Sequence, residues 1–221
     1  MASAPDNRGL PVAYARPCDV LRHLGTSSLD ATERVRAVQI SDRTRHDQFV
    51  AGRVLLRQRL SDAVEHSVHP ASWQFEQSLD GKPSVAPGLP QIHFSISHAD
   101  GLVAVATSPS AKIGIDLERV TGTGDTRPTP DQLSEHETAW LQKHREADRW
   151  PAFLQLWTAK EATSKALGLG CGVDFNDLEI DIPARRAYCP RGVLDSGDHI
   201  DLDLQTITAH GATYCLSVAS Q

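Results

Sequence analysis

The sequence has no long apolar run. Among its 221 residues the longest, Leu102-Val103-Ala104-Val105-Ala106, falls far short of the roughly 20 residues that a bilayer-spanning helix needs. Its N-terminus, Met1-Ala2-Ser3-Ala4-Pro5-Asp6, lacks the charged-then-apolar pattern of a secretory signal, so cytoplasmic residence is expected. Excess positive charge is also missing. Lys and Arg number 22 against 28 Asp and Glu, a net charge of −6. That argues against a general affinity for nucleic acid or an anionic membrane and leaves room for a local basic pocket. Cysteine is scarce: Cys18, Cys171, Cys189 and Cys215 form no C-x-x-C pair and lie far apart, so buried free thiols are expected over disulfides or zinc. Absent too are the phosphate-cradling G-x-x-x-x-G-K-[ST], the zinc-binding H-E-x-x-H, a strand-bound G-x-G-x-x-G and the G-x-S-x-G nucleophile elbow. The ten histidines are scattered without ligand spacing.

What remains is an ordinary globular composition, 40% apolar and 23% charged. At about 150 residues per domain the length suits one large domain or two small ones, and such a chain buries roughly 70% of its unfolded surface without staples. The periodicity predicts a strand over Val12 to Ala15 and a long helix over Asp42 to Val64, with Phe49, Val50, Val54, Leu56 and Leu60 as its apolar stripe. A turn at Asp80-Gly81-Lys82-Pro83 follows, then strands over Ile92 to Ser97, Leu102 to Thr107 and Ile113 to Val120. Thr121 to Pro130 reads as a loop. Ser134-Glu135-His136-Glu137 fits a capping box. A second long helix runs from Trp150 to Leu167 and is closed by Gly168, where the Gly168-Leu-Gly170-Cys-Gly172 run reads as a C-cap and turn. Strands over Leu178 to Ile182, Ile200 to Thr208 and Tyr214 to Ala219 finish the chain.

The two halves echo each other. Phe49, Ala51, Arg53 and Arg57 fall in register with Trp157, Ala159, Glu161 and Lys165, 108 residues on, and Leu102 to Ser108 matches Tyr214 to Ser220 at an offset of 112. Both offsets suit an internal duplication, which predicts residues 1–111 and 112–221 as its two halves with the site in the cleft between them.

Three clusters carry the chemistry. In Gly114-Ile115-Asp116-Leu117-Glu118 a strand sends Asp116 and Glu118 to the same side, and a hard divalent cation would relieve their repulsion. An edge strand with a solvated polar face has the same pattern. In Trp157-Thr-Ala-Lys160-Glu161-Ala-Thr-Ser-Lys165, Glu161 and Lys165 share a helix face. They suit a metal ligand or base beside a phosphate-steadying amine, and equally an ordinary surface pair. In Phe94-Ser95-Ile96-Ser97-His98, a strand ends in a Ser-His step able to donate to phosphate, or simply in a turn histidine. Adjacent Ser and His point to opposite faces, which argues against a Ser-His-Asp triad. Lys82, Arg43, Arg53 and Arg57 offer positive charge for a phosphate-rich ligand, and each reads equally as a solvated charge.

Together the clusters resemble the 4′-phosphopantetheinyl transferases of the surfactin-synthetase-associated (Sfp) type, a family with G-[IV]-D-x-E followed by W-x-x-K-E-[AS]-x-x-K. The upstream K-P and strand ending in S-H match Lys82-Pro83 and Ser97-His98, so the resemblance spans about residues 42 to 182. It implies an α+β (α/β two-layer) fold of two pseudo-twofold units, each a small, mainly antiparallel sheet packed with a long helix. The length suits the two-unit, monomeric kind. The resemblance further implies transfer of 4′-phosphopantetheine from coenzyme A to a carrier-protein serine, releasing 3′,5′-ADP, with Mg2+ (or Mn2+ in its place). Asp116, Glu118 and Glu161 would hold the metal. Glu161, directly or through a metal-bound water, would take the serine proton, and Lys165 would stabilise the phosphoryl group. Lys82, Ser97 and His98 would grip coenzyme A phosphates and Arg57 the 3′-phosphate, with Arg43, Arg53, Lys160, Asp116 and Lys165 among the other coenzyme A contacts.

The implied partner is an apo acyl or peptidyl carrier of a polyketide, nonribosomal peptide or fatty acid synthase. Such carriers are usually acidic, as this chain is, so a local apolar or basic patch near Thr121 to Leu141 is expected to dock them. A non-catalytic coenzyme A- or carrier-binding module and a magnesium-dependent pyrophosphohydrolase stand as alternatives. The intact Asp116, Glu118, Glu161 and Lys165 count against the first, and the missing R-E-x-x-E-E helix against the second.

Overall fold

The computed structural model describes residues 12–77, 82–121, 132–169, 174–189 and 198–221. The first strand, β1 (Val12–Ala15), matches the sequence reading. Two helices that the periodicity misses follow, α1 (Pro17–Leu24) and α2 (Ala31–Val38). Each has only eight residues, about two turns, too few to establish a stripe. The second carries a different signal: the Asp30 carboxylate accepts from Glu33 N–H while the Glu33 carboxylate accepts from Asp30 N–H, a reciprocal cap. The long helix α3 (Arg43–Ala63) starts behind Asp42, whose carboxylate accepts from Arg45 N–H.

Next come β2 (Phe75–Gln77), β3 (Pro83–Val85), β4 (His93–Ala99), β5 (Leu102–Ser108) and β6 (Ile113–Arg119). The predicted cap at Ser134 and Glu137 opens α4 (Glu135–Gln142). The second long helix, α5 (Glu146–Leu167), begins a turn earlier than the sequence suggests and runs through Pro151, at the loss of one backbone hydrogen bond. It ends where predicted, at Gly168 in the left-handed region (φ +72°), which glycine adopts without strain. Then follow β7 (Glu179–Asp181), β8 (Arg186–Tyr188), β9 (Ile200–Ala209) and β10 (Ala212–Ser220). Of the predicted Thr121 to Pro130 loop all but Thr121, together with Asp80-Gly81 and Gly170 to Gly172, lies outside the described residues. Of the described cysteines, Cys215 is buried, Cys189 half-buried and Cys18 exposed, and all are free. The expectation of burial therefore fails at Cys18, which occupies a surface position on a short helix.

The architecture is the expected α+β one, with mainly antiparallel pairing. A three-stranded sheet is ordered β1-β5-β4 and a five-stranded one β6-β10-β9-β8-β7. The element order repeats: strand, long helix, short strand pair, long hairpin. In both sheets the opening strand pairs with the last strand of its unit, and that strand with the one before it.

The period of two along β5 explains the longest apolar run. Val103 and Val105 bury against α3 residues such as Val50 and Val54, while Leu102, Ala104 and Ala106 bury against Ile115, Leu117, Leu216 and Val218 of the second sheet. A strand covered on both faces reads as continuously apolar rather than alternating. On the far side of the second sheet α5 seals the layer with Leu156, Ala159, Ala162 and Ala166. No helix among the described residues is long and apolar enough to cross a membrane.

Candidate active site

The site begins with the alternation of β6. Ile113, Ile115 and Leu117 face the β5 core, which turns Gly114, Asp116 and Glu118 toward α5. Gly114 is required there: a Cβ would overlap the Ala162 carbonyl and Ala166 N–H of α5. With only hydrogen at that position the helix lies directly on the strand, and the carboxylates two and four residues on come level with Glu161.

β6 is an edge strand, and side chains from outside its sheet satisfy its free edge. Ser95 Oγ accepts from Ile115 N–H at 3.1 Å and Ser97 Oγ from Leu117 N–H at 3.2 Å. The Ile113 carbonyl accepts from Lys82 Nζ at 3.1 Å and the Ile115 carbonyl from Lys165 Nζ at 3.3 Å. Four side chains thus replace a neighbouring strand; Lys82, Ser95 and Ser97 join the first unit to the second, Lys165 comes from α5 of the same unit, and three of the four (Lys82, Ser97 and Lys165) are expected site residues. Lys82 Nζ also donates to the Lys165 and Ala166 carbonyls, closing the C-terminal end of α5, where a cation is favoured.

Asp116 is the hub. Its Oδ1 accepts from Lys165 Nζ at 2.6 Å and Ser97 Oγ at 2.9 Å, while its Oδ2 is buried with no hydrogen-bond partner. Burial, then the charges of Asp116 and Glu161, push the Glu118 carboxyl up to about 7 against the pull of Lys165. Burial and then Asp116 raise that of Glu161, again opposed by Lys165. Two acids with raised carboxyls beside a third that presents an orphaned buried oxygen fit a hard, oxygen-loving cation. Among the described residues no three carboxylate, histidine or cysteine side chains stand as a closed coordination set. His98 sits beside this group, its ring held below the ordinary value by burial first and then by Lys165.

The expected basic residues divide. Lys82 lines a cleft of about 270 Å3 with His93 and Lys112, its amine pulled down to about 8 by burial and then by Lys112. Arg57 is a correction. Its side chain is fully buried and bonds Glu33 (2.9 Å), Asp30 (2.7 Å) and the Pro70 and Trp73 carbonyls, so no donor faces a ligand and the residue ties α3 to the α2 cap. Lys160 is a second correction. Fully buried, it spends its three protons on Glu137 (2.8 Å) and the Phe175 and Leu178 carbonyls, pinning α4 and the approach to β7 onto α5. Arg53 packs over the Phe49 ring and stands 4.0 Å from Glu33, and Arg43 extends into solvent 4.0 Å from Asp47. Neither is gathered with the acids.

Two residues that hold the framework around the site escape the sequence reading. Ser95 looks like one more strand serine, and its period-two spacing from Ser97 was the available signal. Glu137 is legible as a cap, but its second oxygen, which accepts from Ile180 N–H at 2.8 Å, depends on a contact 43 residues away.

Residues 112–219 match the family model described as the 4′-phosphopantetheinyl transferase superfamily. The chain is similar to the 4′-phosphopantetheinyl transferase gsp of Aneurinibacillus migulanus, 33% identical over 66% of this chain and 58% of that protein. It is also similar to the 4′-phosphopantetheinyl transferase AcpT of Salmonella typhimurium, 30% identical over 67% of this chain and 73% of that protein. HetI of Nostoc, another 4′-phosphopantetheinyl transferase, is 29% identical over 74% of this chain and 71% of its own length. Against the first curated relatives the chain spans only 54% to 60% of their length.

Proposed function

This chain belongs to the 4′-phosphopantetheinyl transferase superfamily, and from that premise we propose that it transfers 4′-phosphopantetheine from coenzyme A to a serine of an apo acyl or peptidyl carrier protein, releasing 3′,5′-ADP. The observation that carries the reading is the 2.6 Å pair of Lys165 with Asp116 that joins α5 to β6, with Glu118, Glu161 and His98 near enough to feel its charges. In this reading residues 1–111 contribute Lys82, Ser97 and His98 toward coenzyme A, residues 112–221 contribute the acids and Lys165, and the protein works as a cytoplasmic monomer.

Asp116, Glu118 and Glu161 would hold Mg2+, or Mn2+ in its place, and the cation would neutralise pyrophosphate charge in that dry setting. Lys165 leaves Asp116 for a phosphate oxygen and steadies the leaving group. His98 holds a remaining oxygen, and Lys82 another by giving up its long 3.5 Å bond to the Ala166 carbonyl. Glu161, made more basic by burial and by Asp116, accepts the serine proton as the serine oxygen bonds to phosphorus and the bond from phosphorus to 3′,5′-ADP breaks. Positioning and charge account for most of such a transfer.

The test is the intact mass of a purified apo carrier after incubation with this protein, coenzyme A and magnesium. A gain of one phosphopantetheine, abolished by EDTA, is the expected result. Release of 3′,5′-ADP without any carrier modification would overturn the reading in favour of a hydrolase.

A further inference from the structure

Two cavities lie at opposite ends of the α5–β6 pair. The helix runs antiparallel to the strand: Ala162 and Ala166 sit over Gly114, while Pro151 lies at Cys215, which pairs with Glu118. The cleft of Lys82, His93 and Lys112 is therefore at the Ile113 end. A larger cavity, about 390 Å3, opens past Glu118 among Val120, His144, Gln155, Thr206, Thr213 and Cys215. The acids stand between the two.

We propose that this second cavity admits the serine-bearing segment of an acidic carrier protein. The inference rests on the transferase reading and adds the side from which the nucleophile arrives. In phosphoryl transfer the attacking and leaving oxygens are roughly in line. The leaving 3′,5′-ADP is the most anionic part of the substrate, and the cations Lys82 and Lys112 belong to the Ile113 end of the axis, with Lys165 at Asp116 between the two cavities. The serine must then come from the other end, where the lining supplies hydroxyl and amide groups in place of ammonium groups. The rim also suits an acidic partner, although the chain as a whole is acidic. Asp148, the one carboxylate in the lining, is paired with Arg145 at 2.9 Å. Arg149 is exposed with its Nε on the His144 carbonyl at 3.2 Å, and Lys143 is exposed beside it. These cations outnumber Glu146, the remaining acid of the turn. Charge matching of this kind speeds encounter and fixes orientation.

Two variants test the assignment. Gln155→Trp fills the cavity, and Arg149→Glu reverses the charge of its rim at an exposed position. Both are assayed by steady-state transfer to a purified acidic apo acyl carrier protein, with coenzyme A affinity measured separately by calorimetry. Each is expected to raise the KM for the carrier about tenfold or more and to leave coenzyme A affinity within about twofold, and added salt should shrink the difference between wild type and Arg149→Glu. An unchanged carrier KM in Arg149→Glu, with wild type active, overturns the proposal alone. A rise in KM for coenzyme A with the carrier KM unchanged assigns the cavity to the pantetheine arm and also overturns it. Absence of transfer by wild type overturns this proposal together with the transferase reading.

Discussion

Lys165 bypasses Glu161, its neighbour one helical turn back, and places Nζ 2.6 Å from Asp116 Oδ1 on a separate strand. The i, i+4 spacing of a carboxylate and an amine on a helix usually reads as a weak surface pair. Here the amine instead crosses to an 8% exposed carboxylate, so an ion pair joins the two signature motifs and Glu161 is left without that amine as a hydrogen-bonded partner.

Asp116→Asn keeps the volume and the hydrogen bonds but removes the charge that balances Lys165. Transfer is expected to fall by at least about 100-fold with the circular dichroism spectrum unchanged, and Glu161→Ala should behave alike. Full activity in either purified variant would sink the assignment of the acids.

The orphaned Asp116 Oδ2 and the two raised glutamates should make the protein more stable with magnesium. At 100 times the dissociation constant a single site adds about 2.7 kcal/mol. Thermal unfolding should show a rise with magnesium that EDTA reverses and Asp116→Asn lacks. Equal shifts in wild type and variant would mean the ion binds elsewhere.

Lys160→Met leaves Glu137 buried and unpaired. A cost of about 3–5 kcal/mol is expected from breaking one side of such a pair, read as a lowered midpoint in urea. A coenzyme A contact would instead give unchanged stability and weakened coenzyme A binding.

At Gly114 even a methyl group collides with the backbone of α5. Gly114→Ala should lower both the melting temperature and transfer, because the helix must back away from the strand carrying Asp116. A melting temperature within a degree of wild type would show that the helix absorbs the change.

The Lys82 amine titrates at about 8 in the folded chain against an ordinary 10.5. Folding therefore releases a proton between those values, and this group's contribution to stability improves as pH rises through that window. Its grip on phosphate weakens over the same window. The KM for coenzyme A should climb above pH 8 in wild type and stay flat in Lys82→Arg, whose guanidinium remains charged. Identical profiles would remove Lys82 from the phosphate grip.

Local patterns were sufficient for much of this protein. Period-two alternation locates β4, β6 and β10, an unbroken apolar run locates β5, helical period locates α3 and α5, and Gly168 and Ser134 mark a stop and a start, because each depends on neighbours a few residues away. The motifs around Asp116 and Glu161 named the acids for the same reason: side-chain direction on a strand or helix follows from spacing. Tertiary structure alone decided the fate of the cations. Arg57 and Lys160 carry the same charge as Lys82 and Lys165, yet burial beside Glu33 and Glu137 made the first two structural, while the edge of β6 drew the other two to the site. An ammonium or guanidinium side chain is long enough to serve either end. Which end it serves depends on which carbonyls and carboxylates remain unsatisfied once the sheets have paired.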